Sequence, residues 1–341
     1  MHAKPELQRD ELARLPADTN GPVSRQLWLR LRRRCEGLMA WLRGAPPEVI
    51  DGSYTSASSA RSYRLYRPSW RHLGARPLVV MLHGCHQNPD DFAAGTRMHA
   101  RGEGRGCFVL YPAQDRQANR MGCWNWYEAV HQQRDKGEPA SLAGLTREII
   151  ARHRIDPNRV YVAGLSAGGA MAAILATTHP ELFAAVGIHS GLPHAAASNA
   201  VSALIAMKRG PGRRRGRHDP EPAEKIPTIV FHGDQDATVH PGNGEELIAR
   251  MRWASPGMAP SEAAAARTIR GEVPGGRAYT RTLHHDAAGR IDAEHWVIHR
   301  SGHAWSGGEP ACSYTDPLGP DATGEMLRFF REHPRRSRRR R

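Results

Sequence analysis

Residues 159–173 read RVYVAGLSAGGAMAA, and this stretch decides the fold. Its first six residues, 159–164, form an apolar run that ends in glycine, which predicts a buried strand. An Ala-rich helix is predicted over 167–178. Between the two stands G-L-S-A-G, a G-x-S-x-G sequence in a strand-to-helix turn. Such a turn holds its serine at a strained tip, and the flanking glycines avoid a clash. We therefore predict that Ser166 is a nucleophile.

Strand and helix patterns alternate on both sides of this turn. Apolar runs predict strands at 63–66, 77–84, 107–112, 184–191 and 226–233. Helical patterns lie at 93–104, 141–154, 198–208, 243–253 and 321–332, and a hairpin pattern joins 278–284 to 291–299. Strands that alternate with helices form right-handed βαβ units. The sequence therefore predicts an α/β fold with a mostly parallel central sheet and helices on both faces.

A serine hydroxyl needs a base to take its proton, and the base needs an acid that orients it. In chains with this kind of turn, the order is serine, then acid, then histidine. The segment PTIVFHGDQDATV, 227–239, leaves a predicted strand and enters a carboxylate-rich loop. Asp236 lies a few residues past the strand and is the predicted acid. Asp234, nearer the strand, is the second choice, and it also suits a turn.

The base is sought at the following strand end, in EHWVIHRSGHAWSGG, 294–308. His303 lies beyond the strand pattern in a Gly-containing loop, and it is the predicted base. His295 and His299 belong to the strand pattern, so each is predicted to be structural. The chain has 19 histidines, so only the position after a strand and late in the chain selects His303.

The oxyanion of a tetrahedral intermediate needs two converging hydrogen-bond donors. One predicted donor is the backbone N–H of Ala167, directly after the nucleophile. The other should come from the loop after an early strand. The strand and loop VVMLHGC, 79–85, are the candidates, so the backbone N–H of Cys85 is the predicted second donor.

The net charge of +14 is concentrated outside the main body of the chain. Residues 209–217 and 335–341 carry five and six arginines and no acid, which leaves 14 − 11 = +3. Residues 1–49 hold nine basic and six acidic residues, another +3, so the remaining body is formally neutral. Runs of like charge are typical of solvated segments. Nucleic acid is therefore not predicted as the main partner.

These observations predict three parts of the chain. Residues 1–49 are an N-terminal appendage with an amphipathic helix, for which a docked position is favoured over a membrane surface. The residues at helical spacing there are Leu27, Leu31, Cys35, Leu38 and Leu42. Residues 50–334 form the catalytic domain, with an Arg-rich insertion at 209–223, and 335–341 are a disordered Arg tail. No run of about 18 apolar residues exists, so no transmembrane segment is predicted.

The cysteines give no sign of a metal centre. Positions 35, 85, 107, 123 and 312 contain no C-x-x-C pair, and no Cys/His group has zinc spacing. We therefore predict no metal site. Serine-based acyl transfer also needs no cofactor, and none is expected.

Further segments carry a resemblance to a known family. They are LHGCHQNPDDFAAGTRM (82–98), CWNWYEA (123–129), FAAVGIHSG (183–191), IPTIVFHGDQDATVHP (226–241), GHAWSGG (302–308) and SYTDP (313–317). Together with 159–173, they resemble the poly(3-hydroxybutyrate) depolymerase-type esterases of the α/β-hydrolase fold, over roughly residues 60–332. The resemblance implies a Ser166, Asp236 and His303 triad that hydrolyses short-chain polyhydroxyalkanoates or related esters. It also implies secretion.

Two features depart from the family pattern. No signal peptide is visible at the start of the sequence, so a cytoplasmic location is the alternative to an extracellular one. No Thr-rich linker or polymer-binding module follows the catalytic residues. We therefore expect a preference for soluble or amorphous esters over crystalline polymer, because a tethered module raises the effective concentration at a solid surface.

Some expectations remain open between two readings. Trp124, Trp126 and Trp305 are equally suited to a substrate groove and to a packed core. The resemblance implies a disulfide between Cys85 and Cys123, and two buried thiols are the alternative.

Two other functions compete with the main one. A feruloyl or acetylxylan-type carbohydrate esterase, or a peptidase, would use the same triad. From another class, a non-catalytic protein would bind an acidic partner through its Arg runs. The full set of Ser, Asp and His argues against that last reading.

Overall fold

The computed structural model describes residues 47–55, 60–69, 74–210, 225–253 and 266–335. The predicted N-terminal amphipathic helix lies outside these residues, as do 211–223 of the predicted insertion and 336–341 of the predicted tail. Among the helices of the described ranges, none combines the length with the apolar character that a membrane-spanning helix needs.

Ten strands form one central sheet. They are β1 Glu48–Thr55, β2 Ala60–Arg67, β3 Arg76–Leu82, β4 Phe108–Pro112, β5 Ile155–Leu165, β6 Ala185–His189, β7 Thr228–Gly233, β8 Arg267–Glu272, β9 Ala278–His285 and β10 Ile291–Ile298. Their order is β1-β2-β4-β3-β5-β6-β7-β10-β9-β8. The strands from β4 to β10 in this order are parallel, and the two strands at each edge pair antiparallel. The predicted mostly parallel sheet is confirmed. A short parallel pair, β11 Trp305–Ser306 and β12 Thr315–Asp316, lies apart from it.

Helices cover both faces of the sheet, as predicted. They are α1 Pro89–Thr96, α2 Met98–Glu103, α3 Gly137–Arg152, α4 Ala167–Thr178, α5 Ala200–Arg209, α6 Gly242–Trp253 and α7 Ala322–Glu332. A 3-10 helix spans Ala129–Gln132. Side chains of β3 alternate between two cores: Leu78 and Val80 face α3, α4, α5 and α6, whereas Val79 and Met81 face α1, α2 and α7. Central strands buried on both sides read as continuous apolar runs for this reason.

Several element boundaries differ from the sequence prediction. The helix expected at 93–104 is two helices, α1 and α2, because Arg97 adopts a left-handed backbone with φ 50° and ends the first one. Strands β1 and β8 were not predicted. Both lie towards the sheet edges, and their side chains alternate between exposed and partly buried positions. They lack the continuous apolar runs that mark the central strands.

Three predicted domain limits are wrong by a few residues. Strand β1 pairs with β2 along its full length, so the sheet begins at Glu48, inside the predicted 1–49 appendage. Arg209 is the last residue of α5 and not the start of an insertion. Arg335, expected in a disordered tail, donates its backbone N–H to Asn158 O at 2.8 Å and its guanidinium to Phe183 O at 3.1 Å. Backbone carbonyls near the amino ends of β5 and β6 therefore hold this arginine in place.

Candidate active site

Ser166 stands at the turn from β5 into α4, and its backbone is strained. Its φ of 56° and ψ of −120° lie in a region that side-chain-bearing residues rarely occupy. Close packing around the turn requires two glycines. A Cβ on Gly164 would overlap the Gly168 backbone, and a Cβ on Gly168 would overlap the Leu82 carbonyl. The predicted elbow geometry is present in the structure.

The backbone around Ser166 leaves a donor free for a ligand. The Ser166 N–H donates to His189 O at 2.9 Å, which ties the turn to the neighbouring strand β6. The next N–H, that of Ala167, is the first of helix α4 and donates to no other described residue. Unpaired N–H groups at a helix N-terminus favour negative charge. The structure thus leaves the predicted oxyanion donor available.

Asp236 and His303 meet at the same edge of the sheet as Ser166. Strands β5, β6, β7 and β10 are consecutive parallel neighbours, so their carboxyl ends lie together. Asp236 follows β7 and His303 follows β10. His303 Nδ1 lies 2.7 Å from Asp236 Oδ2. This bond places the Nδ1 proton towards the carboxylate and leaves Nε2 available for the serine hydroxyl.

The Asp236 carboxylate is buried, and both of its oxygens accept hydrogen bonds. Its Oδ1 accepts the backbone N–H groups of Thr238 and Val239 at 2.9 and 2.8 Å. Burial alone raises the pKa of this carboxyl, but hydrogen bonds from His232 and His303 and from the backbone outweigh burial. The pKa of Asp236 is therefore well below its ordinary value. An ionised carboxylate here orients the His303 ring.

The second-choice acid, Asp234, belongs to a different pair. Its Oδ2 lies 2.9 Å from His299 Nδ1, and its Oδ1 accepts the Arg300 N–H at 2.7 Å. About a third of the Asp234 side chain is exposed. Asp234 thus caps the end of β10 at the surface and does not contact His303. His295 lies within β10 and is buried.

The loop that carries the other predicted donor lies against the elbow. A Cβ on Gly84 would lie 3.7 Å from the Ser166 Cβ. The adjacent Cys85 N–H donates to no other described residue. A disulfide joins Cys85 to Cys123, as the resemblance implied, and His86 N–H donates to Met121 O at 2.8 Å. Both contacts fix the loop to the segment around residues 121–123.

Two side chains at the site were missed by the sequence reasoning. Gln87 is buried, and its Oε1 accepts the Gly84 N–H at 3.0 Å. His232, the penultimate residue of β7, places Nε2 3.5 Å from Asp236 Oδ2 and 2.9 Å from Val239 O. Each stands within three or four residues of a predicted site residue. That proximity was the only available signal, because neither residue type marks such a role.

Of the two readings left open for the tryptophans, the structure supports the packed core for Trp124 and Trp305. Both are buried, with at most 1% of the residue exposed. Each indole N–H donates internally, from Trp124 to His83 O and from Trp305 to Thr323 Oγ1, at 3.0 Å in both cases. Trp126 is also buried. The Trp124 and Trp305 rings are buried in the core, and the hydrogen bonds of their N–H groups offset the cost of burying those polar atoms.

The chemistry of the site rests on these protein groups. Within the described ranges, no group of three or more His, Cys, Asp or Glu is arranged to hold a metal ion. A strained serine, a buried Asp–His pair and two free backbone N–H groups are the components that acyl transfer requires.

Sequence comparison finds relatives that are named as a depolymerase and as an esterase. "Poly(3-hydroxyalkanoate) depolymerase C" of Paucimonas lemoignei is 35% identical over 183 residues, which is 51% of this chain and 44% of that protein. "Feruloyl esterase B" of Neurospora crassa is 27% identical over 213 residues, 58% of this chain and 71% of that one. The chain thus spans less than half of the depolymerase.

Comparisons of structure confirm the predicted α/β-hydrolase fold. Acetyl xylan esterase from Aspergillus awamori aligns with a TM-score of 0.62 at 18% identity, covering 83% of this chain and 98% of that one. An S-formylglutathione hydrolase from Agrobacterium tumefaciens aligns with a TM-score of 0.52 at 17% identity, covering 85% and 96%. At these identities the likeness concerns the fold alone.

A family model described as esterase PHB depolymerase matches residues 61–274. The match includes the elbow and Asp236, and it ends before His303. Because it covers more than half of the chain, the protein belongs to the esterase PHB depolymerase family.

Proposed function

We propose that this protein is a serine carboxylic ester hydrolase with Ser166, His303 and Asp236 as its triad. The observation that carries the proposal is the 2.7 Å bond between His303 and buried Asp236, at the sheet edge where the elbow presents Ser166. A serine alone at neutral pH is a weak nucleophile. The Asp–His pair supplies the base that activates it.

The reaction runs through an acyl-enzyme. Ser166 Oγ attacks the ester carbonyl carbon while His303 Nε2 takes the hydroxyl proton, and the negative charge gathers on the carbonyl oxygen. The N–H groups of Ala167 and Cys85 stabilise that oxyanion. His303 then gives its proton to the departing alcohol. Water repeats the sequence on the acyl-enzyme, with His303 again as base, and releases the carboxylic acid.

The substrates we propose are short-chain polyhydroxyalkanoates or their oligomers. The support is the 35% identity to the Paucimonas lemoignei protein, whose name gives that activity. A carbohydrate esterase is the second candidate, because the Neurospora crassa feruloyl esterase B aligns over 71% of its length.

A panel of esters tests the proposal. Purified protein is assayed with a p-nitrophenyl ester, hydroxybutyrate trimer, amorphous and crystalline polyhydroxybutyrate, and a feruloylated sugar, each beside the Ser166→Ala variant. Turnover of trimer or amorphous polymer that Ser166→Ala lacks is the expected result. Faster release from the feruloylated sugar than from trimer would favour the second candidate. Hydrolysis of none of them would refute the proposed activity.

We also propose that the protein works outside the cytoplasm. The Cys85–Cys123 disulfide supports this location, because disulfides persist in oxidising compartments and are rare in the cytosol. Thiol titration of protein recovered from its native host, alkylated at lysis, tests this. Recovery of both thiols in reduced form would contradict it.

A further inference from the structure

The peptide that carries the Cys85 N–H is held on its opposite side by a histidine ring. His83 Nδ1 lies 2.8 Å from Gly84 O, and its Nε2 lies 3.1 Å from the Gln114 backbone nitrogen. A backbone N–H can only donate, so Nε2 must be the unprotonated acceptor. In a neutral ring the proton is then on Nδ1, which donates to Gly84 O. The surrounding backbone thus selects one tautomer of His83.

This bond fixes more than the carbonyl. Gly84 C=O and Cys85 N–H belong to one trans peptide, in which the two groups lie in one plane and point in opposite directions. Holding the oxygen therefore sets the direction of the N–H. The neighbouring Gly84 N–H is held by Gln87 Oε1. Glycine is the most mobile residue type, so these two side-chain bonds supply the stiffness that it lacks.

The His83 ring is itself firmly placed. Only 2% of His83 is exposed, and the Trp124 indole N–H donates to the backbone carbonyl of His83. Gln114, which donates to the ring, is anchored in turn by side-chain bonds to Glu138 and to Cys123 O. Burial lowers the pKa of His83 to about 4, so the ring is neutral and keeps its tautomer at neutral pH.

We propose that His83 is a positioning residue that aims the Cys85 N–H at the oxyanion. It touches neither substrate nor reacting atoms, and it acts through the Gly84–Cys85 peptide. The inference rests on the proposed esterase function, since a donor needs positioning only if an oxyanion forms. Loss of an oxyanion donor costs roughly 10²–10³ in kcat, so a misdirected donor should cost about 10- to 100-fold.

Two substitutions test the two hydrogen bonds of the His83 ring separately. His83→Asn keeps an N–H at the position of Nδ1, which can still donate to Gly84 O, but it leaves the Gln114 N–H without an acceptor. His83→Gln keeps an acceptor near the position of Nε2 and loses the donor to Gly84. The kcat and KM for a p-nitrophenyl ester and the melting temperature are measured for both. Glu294→Gln, in a buried ion cluster with Arg281 and Arg328, is the control for lost stability alone.

The proposal predicts opposite outcomes for the two variants. His83→Gln should lose about 10- to 100-fold in kcat, with KM within about twofold and a melting temperature near that of the wild type. His83→Asn should melt lower and yet retain most of kcat. Should His83→Asn fail to fold, the proposal is tested by comparing the kcat and KM of His83→Gln with those of Glu294→Gln. A loss of kcat in His83→Gln that Glu294→Gln does not show would support the positioning role.

Other results would overturn the inference in distinguishable ways. Wild-type kcat in His83→Gln, or equal kcat losses in both variants that follow their melting temperatures, would make His83 a purely structural residue. If the wild type itself shows no turnover that depends on Ser166, the proposed esterase function fails, and the positioning role fails with it.

Discussion

Asp234 and Asp236 are two residues apart and have different surroundings. Asp236 is buried and accepts bonds from His303 and two backbone N–H groups. Asp234 is partly exposed and pairs with His299. Two carboxylates with different surroundings perform different tasks, as in other hydrolases. Only Asp236 is placed to orient a base.

Replacing each aspartate by asparagine tests this distinction. Asp236→Asn should lower kcat by about 10³-fold or more, because the amide no longer holds His303 in the required tautomer. Asp234→Asn should change kcat by less than about threefold, since its partner is a surface histidine. Steady-state kinetics on one soluble ester measures both. A greater loss in Asp234→Asn would reverse the assignment.

Chain order and strand ends were sufficient to find the Asp–His pair, because parallel strands bring their carboxyl ends to one edge. They were not sufficient for side-chain direction. Trp305 is two residues from His303, yet it turns into the core and bonds to Thr323. Nothing in the spacing of a loop tells which of its residues point inwards. Gln87 and His232 were missed as supporting residues for the same reason.

At the scale of elements, the elbow depends on contacts between backbones. Gly168 packs directly on the Leu82 carbonyl, so a methyl group there would force β3 and α4 apart. Gly168→Ala should therefore destabilise the fold by about 1–3 kcal/mol and lower kcat as well. Gly104→Ala is the matched control, because a Cβ at Gly104 meets nothing within 4 Å. Urea unfolding of both variants measures the difference, and equal stabilities would show that the close approach is unimportant.

The Cys85–Cys123 disulfide closes a loop with a sequence separation of 38 and fixes the loop beside the elbow. Loop-closure entropy predicts a stabilisation of about 4 kcal/mol for a loop of this size. Cys123→Ser should lower the melting temperature and kcat under non-reducing conditions. Dithiothreitol should bring the wild type down to the level of the variant. If Cys123→Ser has the same melting temperature as the oxidised wild type, the disulfide does not stabilise the fold as predicted.

The central strands were predictable because strands buried on both faces have continuous apolar sequences. Strands β1 and β8 were missed because such runs are absent from exposed edges. The break between α1 and α2 was also missed, because a left-handed arginine such as Arg97 leaves no mark in the apolar pattern. Edges and breaks depend on tertiary contacts that periodicity does not record.

For the whole molecule, buried neutral histidines should control stability in acid. Burial lowers the pKa of His83 and His295 to about 4 and that of His189 to about 3, against 6.5 for a free side chain. Below pH 6.5 these three histidines bind protons in the unfolded chain but stay neutral in the folded protein. The free energy of unfolding should therefore fall as the pH drops from about 6.5 towards 4, by about 2 kcal/mol per histidine at pH 5.

His295→Gln isolates one of these contributions. Its side chain does not titrate, so the variant should lose less stability than the wild type between pH 7.5 and pH 5. Denaturant unfolding at the two pH values gives the difference. If both proteins lose the same stability, the histidine explanation is incorrect, and carboxylates would have to account for the acid sensitivity.

The central claim is that Ser166 is the nucleophile of an ester hydrolase. Incubation with a fluorophosphonate, followed by peptide mass spectrometry, tests it most directly, with Ser166→Ala and His303→Ala as controls. The account predicts a single modified residue, Ser166, with loss of esterase activity in step with labelling and much slower labelling in His303→Ala. Modification of a different serine, or full activity in Ser166→Ala, would contradict it.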